Sequence, residues 1–211
     1  MKLFIKNLLN MKIGIDISQI VYQGTGVARF TKGLVEAILD EDQKNSWTFL
    51  FYSLRQNLDP LIEKKITAKG HKLVRWRLPP TFISFLTNNL RQLTKFFILH
   101  FKFLNSLDWF ISSDWIEIPL KDVKKATIVH DLVFKRYPKT VNQKILKNQE
   151  KRFQYLEKEI ALIFADSQVT KNDLTSFYKI DPQRIVVNLP GVIIFKPKKE
   201  DVKKTLKKYN I

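Results

Sequence analysis

Of the chain's 211 residues, 45% are hydrophobic and 27% charged, a balance that supports a packed core and excludes extended disorder. The formal charge of +17, swollen by seven lysines between Lys196 and Lys208, points to anionic partners: phosphorylated small molecules, acidic lipid or nucleic acid. There is no cysteine, which excludes disulfides, thiolate metal sites and cysteine nucleophiles and fits a cytoplasmic, reducing setting.

Residues 1–10 (MKLFIKNLLN) form an N-terminal extension; Lys6 and Asn7 break the apolar run and no small-residue cleavage site follows, so no export signal is read. Short apolar runs then predict strands at Lys12–Ile17, Trp47–Ser53, Lys72–Arg77, Asp108–Ser112, Ala126–His130, Ala161–Ala165 and Arg184–Asn188. Helical periodicity lies between them at Val27–Leu39, Thr81–Leu104, Asn142–Glu159 and Thr170–Tyr178, the last opened by Thr170 and Asp173 in the pattern of a capping box. The alternation specifies an α/β fold with a doubly wound, Rossmann-like parallel sheet over residues 11–195, its first and fifth strands central because they are almost wholly apolar. Residues 196–211 read as a lysine-rich linker and helix with Val202, Leu206 and Tyr209 on one face, leading toward a further module. The longest apolar run, Phe96–Leu104, carries His100 and Lys102 and is far shorter than the roughly 20 residues a spanning helix needs.

Three segments could carry chemistry. The turn Gln23-Gly24-Thr25-Gly26-Val27 leads from the first strand into a helix, and its backbone N–H groups together with the helix N-terminus can hold a phosphate. It reads equally as a tight turn with no ligand. A dinucleotide fingerprint would need a small residue where Arg29 stands and an acid where Tyr52-Ser53-Leu54 end the second strand, so a nicotinamide dehydrogenase is disfavoured.

His130 and Asp131 end a central strand, with Tyr137-Pro138 following. Ligands of open α/β sheets bind outside the carboxyl ends of strands, so this histidine is either a ligand contact or a satisfied structural residue. His71 and His100 have no acidic partners at ligand spacing, and no metal is expected. The third segment, Pro79–Leu104, interleaves aromatics with Arg91, Lys95 and Lys102. It can bury an apolar face as a crossover helix or lie on an acidic bilayer through Arg91, Lys95, Phe96, Phe97 and Lys102. Nucleic acid is disfavoured because no RNA-binding signature accompanies the charge.

Taken together and in order, three segments resemble the N-terminal domain of retaining family 4 ("group 1") glycosyltransferases of the GT-B fold: Met11–Ile17 with Gly24–Thr31, Thr127–Leu132 with Tyr137-Pro138, and Phe164–Leu174. The stretch Asp108–Trp115 also resembles that family, as does Arg184–Val192 where that domain hands over to the second. The resemblance implies that Gly24, Thr25 and Gly26 approach the diphosphate of a UDP- or GDP-sugar donor and that His130 contacts the donor sugar. Asp131, Trp115, Tyr137 and Ser167 become cleft or acceptor contacts. It also implies a lipid-linked or saccharide acceptor, no cofactor beyond the nucleotide-sugar itself, and a second domain in cis or on a partner chain that supplies most of the donor site. The sequence carries no recognisable pair of acid and base carboxylates, which disfavours a hydrolase. The alternative is a non-catalytic Rossmann-like subunit that pairs with a catalytic chain or binds an anionic surface.

Overall fold

A computed structural model describes residues 10–98, 102–191 and 197–210. Most of the N-terminal extension, His100 and the 195/196 boundary therefore lie outside the described residues. Seven parallel strands form one sheet: β1 (Lys12–Asp16), β2 (Ser46–Tyr52), β3 (Lys72–Trp76), β4 (Trp109–Ser112), β5 (Lys124–Val129), β6 (Leu162–Ala165) and β7 (Ile185–Val187). Their order is β3-β2-β1-β4-β5-β6-β7, so the fold is the doubly wound, Rossmann-like sheet that the alternation specifies. All seven strands lie where the apolar runs place them. β1 and β5 are interior, flanking the four-residue β4 at the centre.

Helices cover both faces. α1 (Gly26–Glu41) and α2 (Pro60–Ala68) place Val35, Leu39, Ile62 and Ile66 against Ile13, Ile15 and Phe49. On another part of the core, α3 (Pro80–Asn89), α4 (Arg91–Ile98) and α5 (Lys102–Asn105) bring Ile83, Ile98 and Leu104 onto Leu50, Tyr52 and Phe110. α6 (Val133–Arg136), α7 (Gln143–Glu159) and α8 (Gln168–Tyr178) close around β5–β7 through Phe134, Phe153, Leu156 and Leu174. α9 (Lys199–Tyr209) leaves Val202, Leu206 and Tyr209 exposed. Gly14 in β1 is required by close approach: a Cβ there would lie 2.6 Å from Leu107 and Phe110 side-chain atoms.

Two expectations need correction. The periodic run Thr81–Leu104 is not one helix, because Leu90 leaves helical geometry at ψ 37°. The break is tied off by the Thr94 hydroxyl, which donates to the carbonyls of Leu86 and Leu90 at 2.9 Å each. Nor do Thr170 and Asp173 form a capping box. Ser167 caps α8 by accepting from Thr170 N at 3.1 Å, the Thr170 hydroxyl donates to the His130 carbonyl, and Asp173 pairs with Arg136.

Candidate functional site

The strand order reverses between β1 and β4, the position at which open parallel sheets take their ligands. The carboxyl ends of the strands are tied together there by Asp16 at the end of β1. The carboxylate accepts from Tyr52 OH (2.6 Å), Ser113 Oγ (2.8 Å) and Ser18 N (2.9 Å), joining β1 to residues at the ends of β2 and β4. Burial raises the Asp16 pKa, and the Ser18 and Tyr52 hydrogen bonds partly oppose it.

Gly24 has φ +87°, a conformation that favours glycine, and turns the chain into Thr25, the cap of α1. The Thr25 hydroxyl accepts from Ala28 N at 3.1 Å and donates to Tyr22 O at 2.8 Å, so that side chain serves the turn. Gly26 and Val27, the first residues of α1, line an open cavity of about 870 Å³ together with His130, Asp131, Asp166 and the Asn188–Gly191 segment after β7. Gly26 thus meets the histidine in one cleft, whereas Gly24 and Thr25 do not line it.

His130 owes its position to the parallel register. Val129 of β5 pairs with Ala165 of β6, so the residues that follow, His130 and Asp166, emerge side by side. Nδ1 lies 2.6 Å from Asp166 Oδ2, and the ring edge packs against Phe30 of α1 at 4.9 Å between centroids. Burial opposes the imidazolium, but the Asp166 hydrogen bond and the nearby Asp114 charge outweigh it and raise the His130 pKa. With Nδ1 committed to Asp166, Nε2 is the ring atom left to meet a ligand.

A smaller cavity of about 160 Å³ adjoins the ring and is lined by Asp114, Asp131, Gln149 and Arg152. Arg152 is fully buried. It donates to Glu117 Oε1 at 3.0 Å and to the Ser113, Asp114 and Ile128 carbonyls, so it fixes the carboxyl ends of β4 and β5 that carry the site. Burial raises the Asp114 pKa, with Arg152 and His130 opposing, and its Oδ1 has no hydrogen-bond partner among the described residues.

The other expected contacts are scattered. The Asp131 side chain accepts from Val133 N at 2.9 Å on the rim of the cleft. Trp115 lines a separate groove between α3 and α7, with Asn88 and Asn148. Tyr137 is exposed beside α6, and Ser167 is occupied as the α8 cap. Among the proposed membrane contacts, Arg91 is turned inward, paired with Glu159 at 2.6 Å and 9% exposed, so it presents no cation to a surface. Phe96 and Phe97 are 60% and 63% exposed, Lys95 is exposed, and the Lys102 side chain lies outside the described residues. Asp166, Asp114 and Arg152 join the site without being singled out by the sequence. Asp166 lies within the Phe164–Leu174 motif and Asp114 within Asp108–Trp115, and the strand-end positions of His130 and Asp166 are the signal that pairs them.

Among the described residues no helix is long and apolar enough to cross a membrane, and no group of three His, Asp or Glu residues could hold a metal. No protein-family model and no curated protein matches the sequence. Among solved structures, the fold is similar to a chain assigned as a UDP-N-acetylglucosamine 2-epimerase from Listeria monocytogenes. The TM-score is 0.50 and the identity 12%, over 85% of this chain and 45% of that one, so this chain spans less than half of its length. An O-GlcNAc transferase variant from Thermobaculum terrenum matches at TM-score 0.30 and 11% identity, over 93% and 46% of the two chains, too distant to carry weight.

Proposed function

We propose that this chain is the acceptor-side half of a retaining, nucleotide-sugar-dependent glycosyltransferase of the family 4 type, acting in polysaccharide or glycolipid synthesis at the cytoplasmic face of a membrane. The observation that carries this reading is the meeting of Gly26 and His130 in one cleft at the carboxyl edge of the sheet. As the bond between sugar and diphosphate breaks, negative charge grows on the leaving diphosphate and positive charge on the sugar ring. The α1 N-terminus offers backbone N–H groups to the former. His130, positioned by Asp166, offers Nε2 to a donor oxygen, and the Asp166 hydrogen bond favours its protonated form. A second Rossmann-like domain, in cis or on a partner chain, supplies the remaining wall.

The experiment is a transfer assay on the protein as its gene encodes it, together with any partner that co-purifies. UDP- and GDP-sugars are screened against membrane lipid extract and soluble saccharides. Sugar incorporation that falls about 100-fold in His130→Ala supports the proposal. No consumption of any nucleotide-sugar, or an undiminished rate in the variant, contradicts it.

A further inference from the structure

At the edge of the sheet remote from His130, two cavities share a wall. One, of about 560 Å³, lies between the end of β3 and helices α3 and α4 and is almost wholly apolar; Leu86, Leu90, Leu93, Phe97 and Ile98 line it. The other, of about 140 Å³, sits over the loop after β2 and contains Ser53, Arg55 and Gln56. Arg75, Trp76 and Arg77 line both, so the end of β3 separates the apolar slot from a smaller pocket that Arg55 also lines. No Asp or Glu lines either cavity. Both follow the carboxyl ends of β2 and β3, on the edge of the sheet where parallel α/β folds take their ligands.

We infer that this paired cavity binds a single-chain lipid monophosphate, the hydrocarbon chain in the α3–α4 slot and the phosphate against Arg55 and Arg77. The charges select the head group. Arg75 is neutralised by its ion pair with Glu63 of α2, while Arg55 and Arg77 are exposed and make no ion pair or hydrogen bond among the described residues. Two uncompensated guanidiniums match a phosphate monoester, which carries a charge of about −1.5 to −2 near pH 7, better than they match a carboxylate. The slot selects the tail: its volume falls in the range of small-molecule sites, and Leu90, Leu93 and Phe97 stay exposed at its mouth with no covering element among the described residues. The inference rests on these cavities alone and not on sugar transfer.

The test is calorimetric titration of the whole chain with dodecyl phosphate below its micelle concentration, beside dodecanol and inorganic phosphate. Saturable binding with one site per chain is expected, at least about tenfold tighter than dodecanol, with no measurable heat for inorganic phosphate. Arg55→Gln with Arg77→Gln should bring dodecyl phosphate level with dodecanol. Leu93→Asp, at an exposed position, should abolish both, and circular dichroism should show both variants folded. The inference is overturned by equal affinity for the phosphate and the alcohol, or by undiminished binding in the arginine double variant. It is equally overturned if no amphiphile binds, as when another segment of the chain fills the slot, or if binding occurs only to phosphatidylglycerol vesicles, which makes the site a bilayer contact. Lipid binding in a protein that transfers no sugar would leave this inference standing and remove the proposed function.

Discussion

His130 Nδ1 and Asp166 Oδ2 lie 2.6 Å apart because β5 and β6 end in register. The pair gives the cleft a histidine with a fixed orientation and a raised pKa. Nuclear magnetic resonance titration should place the His130 pKa above its ordinary value of 6.5, and Asp166→Asn should lower it. For a raised pKa the linked stability is fully present below pH 6.5 and is lost as pH rises through the folded value. The stability gap between wild type and Asp166→Asn should therefore narrow as pH rises through that value. A His130 pKa at or below 6.5 would refute the pairing.

Arg152 and Glu117 form a buried ion pair with side-chain exposures of 1% and 0%. Truncating one member leaves the other charge uncompensated in the interior, which typically costs about 3–5 kcal/mol. Arg152→Met should lose that much in urea denaturation, and it should also disturb the His130 resonance, because Arg152 anchors the Ile128 carbonyl just before it. A loss under about 1 kcal/mol would show that the network is not needed.

Glu159 receives Arg91 and Lys125, both more than nine-tenths buried. Burial opposes its charge, yet the hydrogen bonds from those two cations outweigh burial and lower its pKa from 4.5 to about 2. The corresponding stability is present above pH 4.5 and disappears as pH falls through about 2. Glu159→Gln should cost about 2 kcal/mol at neutral pH, allowing for the partial exposure of the carboxylate. That difference should close on acidification. A pH-independent gap would mean that packing, not charge, holds this corner.

Gly14→Ala places a methyl group against Leu107 and Phe110, the latter fully buried, and should destabilise by about 1–3 kcal/mol in thermal or urea unfolding without changing the sheet. A neutral substitution would show that these side chains yield freely.

Buried parallel strands are short apolar runs, and for that reason β1 through β7 were legible in the sequence. Elements set by partners distant in sequence were not. Helix α2 is short and carries Glu63, Lys64 and Lys65, which masks its two buried isoleucines, Ile62 and Ile66. Arg91 looked like a surface cation in an aromatic helix, and only the approach of Glu159, 68 residues away, turns it inward. Thr170 and Asp173 have the spacing of a cap, but Ser167 stands nearer the true helix start. In the cleft, Gly26 was recognisable from the glycine turn that opens α1 and His130 from its strand-end position. Asp166 needed the β5–β6 register, and the Arg152 network needed the packing of α7 under β4 and β5.

The proposed sugar-transfer role of this cleft is tested most directly by initial transfer rates of wild type, His130→Ala, Asp166→Asn and the double variant in the protein as its gene encodes it. The expected result is a loss of about 100-fold for His130→Ala, a smaller loss for Asp166→Asn, and no additional loss in the double variant, because Asp166 would act through His130. Wild-type transfer by His130→Ala, or independent multiplying losses from the two substitutions, would contradict it.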